Sequence, residues 1–239
     1  MDSILSLRMD TTFDDHDPLA HDILQVIESF IDEIGQRNCT AHFDKVVDDK
    51  YRLKGKHLVQ RPERFIEDHL VYPLLEEAFE YSVRPQPIQY APRWPRSGVP
   101  DFCITSIPIS TARANDIRLF GEVKKPKDID NARKDMEEYL NSDLDVHAVV
   151  LLTDGFDWEL WVRPKGTSVD ISEKPNAQAS LRSTLQTVRT RNMEMDTENA
   201  HAVRKAINTE DFEDFTCESL IEIVEGEFGI TTEATDLAN

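Results

Sequence analysis

Three cysteines, Cys39, Cys103 and Cys217, are too few, odd in number and too far apart for a disulfide framework or a CxxC zinc site. No apolar run approaches the roughly 20 residues that a membrane-spanning helix needs. The opening residues, MDSILSLRMDTTFDDHD, have neither the basic stretch nor the apolar core of a secretory leader. A reducing cytoplasm is therefore the expected compartment, with no membrane partner. Nothing matches GxxxxGK(S/T), so no P-loop motor is expected here. No internal repeat is evident. Positive charge is scarce too: 27 Lys and Arg stand against 46 Asp and Glu, a net charge of -19. The acids are spread along the chain rather than gathered in a tail. That pattern points to a halophilic setting, where net charge keeps a chain soluble and the Debye length is about 3 Å at 1 M salt.

Acidity of this size argues against nucleic-acid binding unless it is lifted locally. It is lifted between Tyr81 and Lys127. Those 47 residues hold only three acids, Asp101, Asp116 and Glu122, against Arg84, Arg93, Arg96, Arg113, Arg118, Lys124, Lys125 and Lys127. The window is +5 (8 minus 3) and the rest of the chain -24. A positive surface on a negative protein is what a polyanion needs in order to dock. A nucleic acid would fit such a surface, with Arg93 and Arg96 on the phosphate backbone, Trp94 either stacking on a base or buried as the anchor of its loop, and Lys125 and Lys127 as further contacts or solvated side chains.

Hydrophobic periodicity places the elements. Residues 17–36 carry a 3.6-residue stripe and read as a helix. A second amphipathic helix begins at Pro62, and Pro73 within it demands a kink or a break. Residues 82–91 read as an edge strand, because Pro85 and Pro87 cannot donate to a ladder. Val99–Ile107 and the stretch IRLFGEVKK read as two further strands joined by a loop. Asp128 or Asp130 caps a helix carrying Ala132, Met136, Tyr139 and Leu140. Residues 146–153 form a continuous apolar run, as in a central buried strand. Asp154-Gly155 is a turn signal before the alternating strand FDWELWV, whose Trp158 and Trp161 are expected in the core. The remainder reads as helical and acidic, with one apolar stripe over 212–228. The expected fold is α/β (α+β), a mixed central sheet flanked by helices. Residues 61–166 form its core, 1–60 a helical N-terminal extension, and 167–239 an acidic helical C-terminal one. His42, His57 and His69 have no metal-ligand spacing.

The strand at 117–125 contains the chemistry. Alternation puts Phe120, Glu122 and Lys124 on one face. An antiparallel neighbour can bring Asp101 beside Glu122, since strands lie about 4.8 Å apart. Two carboxylates that close repel unless a cation or a shared proton sits between them. Mg²⁺ suits such a pair, because it takes oxygen ligands and keeps several waters. A lysine beside it can hold the attacking water and offset charge on a phosphate.

Pro100-Asp101 followed by Glu122-Val123-Lys124 resembles the PD-(D/E)xK nuclease motif. More narrowly, PERFIEDHLVYPLL, GVPDF, GEVKKP, ARKDMEEY and LLTDGFDWELW, in that order, resemble the N-terminal nuclease domain of type I restriction enzyme motor subunits and its archaeal stand-alone relatives. The resemblance implies a restriction-endonuclease-like core and a Mg²⁺-dependent DNA endonuclease, with Mn²⁺ able to substitute. It implies that Asp101, Glu122 and the Val123 carbonyl hold the metal, and that Lys124 orients and activates the water. The family often adds a glutamate from the first helix; Glu63 and Glu67 both fit, one turn apart on one face. The sequence departs from the family at Asp135, where those domains place a glutamine. The alternatives are a catalytically inactive DNA-binding or assembly module that keeps the fold, and an acidic scaffold whose terminal helices bind a protein. The expected protein partners are a second copy of the chain, through its terminal helices, and a separate motor or specificity subunit.

Overall fold

The structure is a computed structural model that describes residues 17–48, 52–85, 99–190 and 209–232. Helix α1 (Pro18–Gln36) starts where the Asp17 side chain accepts the Ala20 N–H, and Pro18 fills the first helical position. Its stripe, including Ile23, Ile27, Phe30 and Ile34, is fully buried. α2 (Thr40–Val47) and the short α3 (Gly55–Leu58) follow. α4 (Pro62–Ile66) runs on without a break into two π-helical segments, Glu67–Val71 and Leu74–Ala78. Pro73 lies between them, and of the kink or break expected there the break does not occur. The wider i→i+5 turns on either side accommodate a residue that has no N–H and crowds the preceding turn.

The sheet has six strands in sequence order: β1 (Val83–Pro85), β2 (Phe102–Ile104), β3 (Ile117–Val123), β4 (His147–Thr153), β5 (Asp157–Arg163) and β6 (Ala177–Ser180). β3 and β4 are parallel and every other pairing is antiparallel. The parallel pair needs a crossover, and α6 (Ile129–Asn141) supplies it. Ala132, Met136, Tyr139 and Leu140 of α6 pack on Phe120, Val150, Leu152 and Trp161 on one face of the sheet. The other face, with Leu119, Val149, Leu151, Trp158 and Leu160, joins α1, α2 and the π-helical run in the larger core.

Four expectations change. The 99–107 strand shortens to Phe102–Ile104, because Pro108 opens α5 (Ile109–Ala114) where a loop was expected. α5 buries no residue, so it has no apolar stripe to reveal it. The acidic C-terminal segment is not wholly helical: it adds β6, whose Ala179 turns inward while Gln178 and Ser180 stay exposed. α7 (Arg182–Thr190) follows β6. The single helix expected over 212–228 is two, α8 (Thr209–Glu213) and α9 (Cys217–Phe228), parted where the Thr216 side chain caps α9 by accepting the Ser219 N–H. Residues 86–91 of the expected edge strand lie outside the described residues.

The terminal helices bury their stripes within the chain. Phe212 packs on Phe79, and both Phe79 and Phe215 meet the Trp158 ring. Thr209 Oγ1 donates to Asp17 Oδ2 at 3.0 Å, tying the two segments together. With these faces covered, they no longer argue for a homodimer. Among the described residues no helix is long and apolar enough to cross a membrane.

Candidate active site

The site sits at the C-terminal end of β3, where the sheet meets α6 and the π-helical run. β2 pairs with β3 through Phe102↔Gly121 and Cys103↔Phe120. Continuing that register sets Asp101 opposite Glu122. The close approach depends on Gly121: a Cβ there would lie 2.0 Å from Phe102 Cζ. The Asp101 carboxylate accepts the Val123 N–H at 2.8 Å, which fixes it against the last residue of β3. Lys124 lies just past the strand, its backbone N–H donating to Thr153 O at 2.9 Å.

Glu122 is 4% exposed. Its Oε1 accepts from Lys124 Nζ at 2.5 Å, and its Oε2 is buried with no hydrogen-bond partner among the described residues. Burial, and then the nearby Asp101 charge, push its carboxyl up to about 7. Burial likewise raises the Asp101 carboxyl, against the lowering effect of the Val123 N–H and the Lys124 charge. Burial pulls the Lys124 amine down, but Glu122 and Asp135 outweigh it and hold the group as an ammonium. Asp135 Oδ2 lies 3.0 Å from Lys124 Nζ.

The helix supplies two more acids. Glu67, on the first π-helical segment, is buried; its carboxyl is raised by burial and by Asp101, and Arg64 donates to it at 2.9 Å. Glu63 on α4 is half-buried, and its charge acts on both Asp101 and Glu67. The structure thus brings Asp101, Glu122, Lys124, Glu63 and Glu67 into one electrostatic neighbourhood.

The other expected contacts fare differently. Lys125 is paired with Asp128 at 2.6 Å. Lys127 takes a left-handed backbone, φ 74°, and gives its N–H to Asp154 Oδ2 at 2.7 Å. Arg118 pairs with Asp143. Arg93, Trp94 and Arg96 lie outside the described residues. His69 packs on Phe65, within reach of Arg37 and Glu33, and His42 stacks on His57.

The sequence marks Asp135 only as a departure from the glutamine of the family it resembles. Its spacing carries the signal of a place at the site: Asp135 lies four residues before Tyr139, on the same side of α6, and its carboxylate meets Lys124. The Tyr139 hydroxyl is raised by burial and by the Glu122 charge.

No family model, curated protein or solved structure matches the chain. Among the described residues no group of three His, Cys, Asp or Glu side chains is arranged to hold a metal ion. The local donor set is smaller: the carboxylates of Asp101 and Glu122, to which the resemblance would add the carbonyl of Val123. That set fits a hard divalent cation that keeps most of its waters, and the unpartnered Glu122 Oε2 is a ready oxygen donor.

Proposed function

We propose that the chain is a Mg²⁺-dependent nuclease of the PD-(D/E)xK type that hydrolyses phosphodiester bonds in DNA. The observation that carries this reading is Glu122: a nearly fully buried carboxylate, opposite Asp101, with one oxygen on a lysine and the other without a hydrogen-bond partner among the described residues. A buried anion without compensation is costly, and a structural role alone would favour an apolar residue or a saturated pair. Asp101, Glu122 and the Val123 carbonyl would hold the cation. Once bound, it would polarise a phosphoryl oxygen and favour hydroxide over water.

The chain's own residues supply the rest. Lys124 stays an ammonium near neutral pH, so it serves as a donor and not as a base. It can orient the attacking water through the water's lone pair, or neutralise the phosphate oxygen that gains charge. The water oxygen forms a new bond to phosphorus and gives up a proton to bulk water, the opposite P–O bond breaks, and the leaving oxygen takes up a proton from bulk water. Asp135 must yield its hold on Lys124 as the substrate phosphate arrives. The sequence's acidity suits this reading to a saline setting. A motor or specificity subunit, if the nuclease works in restriction, comes from another chain.

A second reading, a DNA-binding module without catalysis, draws on the absence of a three-ligand metal group among the described residues. Supercoiled plasmid separates the two. The wild-type chain is expected to nick or linearise it with Mg²⁺ or Mn²⁺, across a KCl series to molar salt, and not in chelator. Plasmid left intact under every metal and salt condition, by a chain that still binds it, would favour the module.

A further inference from the structure

A second basic segment lies outside the 81–127 window. Residues 52–61, RLKGKHLVQR, hold four bases, Arg52, Lys54, Lys56 and Arg61, and no acid. They form the loop around α3 that leads into the helix bearing Glu63 and Glu67. All four bases are exposed. Among the described residues, Arg52, Lys56 and Arg61 are in no ion pair, whereas Arg118, Lys124 and Lys125 of the other window are each tied to an acid.

The loop is anchored from below. Leu53 and Leu58 are buried. Arg37 donates to Leu58 O, and the Gln60 side chain donates to Asp68 at 2.9 Å. Gly55 is tucked so closely under Gln60 O that a Cβ would lie 2.8 Å from it. At the tip stands Val59, 91% exposed, with φ 57° and ψ 23°. A β-branched residue in the left-handed region is strained, and glycine or asparagine is usual there. Nothing in the fold uses this side chain. An exposed apolar residue, held in a strained conformation among cations, is a contact waiting for a partner.

Each end of the loop leads to an element that carries the site. Arg61 adjoins the helix whose Glu63 acts on Asp101, and the Arg52 charge reaches Asp128, just after the strand bearing Glu122. We infer that residues 52–61 are a rigid docking loop for duplex DNA, with Arg52, Lys54, Lys56 and Arg61 on the phosphates and Val59 against the sugar face of a groove. The charge matches a polyanion, and the apolar tip adds a contact that salt does not screen. This inference rests on DNA being the substrate.

The test is equilibrium binding of a fluorescent DNA duplex by the full chain in chelator, with no cleavage, over a KCl series. Lys56→Glu/Arg61→Glu is expected to bind at least about ten-fold more weakly and to flatten the log–log salt slope by about 2. Lys174→Glu, exposed in the loop between β5 and β6, should change affinity less than two-fold. Val59→Gly relieves the backbone and should raise the thermal midpoint by about 2 °C while weakening binding. An unchanged affinity and slope for Lys56→Glu/Arg61→Glu, with its melt intact, overturns the docking loop. So does a loss seen only with anionic vesicles and not with duplex. If the loop variants lose binding but wild type never cuts plasmid, the loop stands and the nuclease reading falls. If wild type cuts and the loop variants cut with unchanged KM, the reverse holds.

Discussion

Two glutamates occupy one rung of the sheet and meet opposite fates. Glu122 on β3 pairs with Leu152 of β4, and Leu152 with Glu159 of β5, so both acids point toward α6 two strands apart, about 10 Å by strand spacing. Each is 4% exposed. Glu159 is saturated: Arg133 of α6 spans both its oxygens, and the Trp161 indole donates to Oε2 at 3.1 Å. Among the described residues Glu122 has one lysine, which it shares with Asp135, and an oxygen with no partner. The same helix faces both, so burial alone does not explain the difference. A structural acid is closed by fixed donors; an acid meant to take a cation keeps an oxygen in reserve.

The contrast can be broken most forcefully by activity. Asp101→Ala, Glu122→Ala or Lys124→Ala should each lower plasmid cleavage by about 1,000-fold or more, since each removes a group from the proposed reacting centre. Glu159→Gln should leave cleavage by the folded fraction within about three-fold of wild type. Equal losses at both glutamates would erase the distinction between them.

Stability should run the other way. Arg133→Ala strands the Glu159 charge in the interior and should cost about 3 kcal/mol in a urea melt. Glu122→Gln removes a carboxylate crowded by Asp101 and should stabilise the metal-free protein by about 1 kcal/mol. A destabilised Glu122→Gln would mean that its pair with Lys124 outweighs its desolvation. The smallest effect is expected at Asp135→Asn. It frees Lys124 of one competitor, and duplex affinity should tighten a few-fold at low salt, with little change in stability, because Asp135 is half-exposed.

Much of this rung was legible before the fold was known. Alternation put Glu122 and Lys124 on one face, and Pro100-Asp101 marked the neighbouring strand's start. Gly121, between Leu119 and Val123 on its own face of the strand, is the only residue small enough for the Phe102 ring to lie across it. Other features left no local trace. β6 is four residues, AQAS, with no β-branched side chain; it is a strand only because β5 offers an open edge. Pro73 reads as a break in any helical pattern, and only packing on both sides of the run holds it within π turns. The pair between Lys124 and Asp135 joins a strand end to the crossover helix, so its geometry depends on how the two pack. The basic loop at 52–61 was visible as composition, but its acidic neighbours in sequence masked it.

The central claim, that Glu122 and Asp101 form a cation site, is tested most directly by thermal stability against pH with and without Mg²⁺. The carboxyls of Asp101, Glu122 and Glu67 are all raised in the folded chain. The folded state therefore binds protons more tightly than the unfolded one, whose Glu122 reference is 4.5. The metal-free protein gains most from these groups below that reference and loses the gain as pH rises through about 7. Mg²⁺ binds the ionised form, so it should raise the thermal midpoint little at pH 5.5 and by several degrees at pH 8, and Glu122→Gln should abolish the increment. A wild-type midpoint at pH 8 that Mg²⁺ leaves unmoved, or an increment that survives Glu122→Gln, would contradict the account.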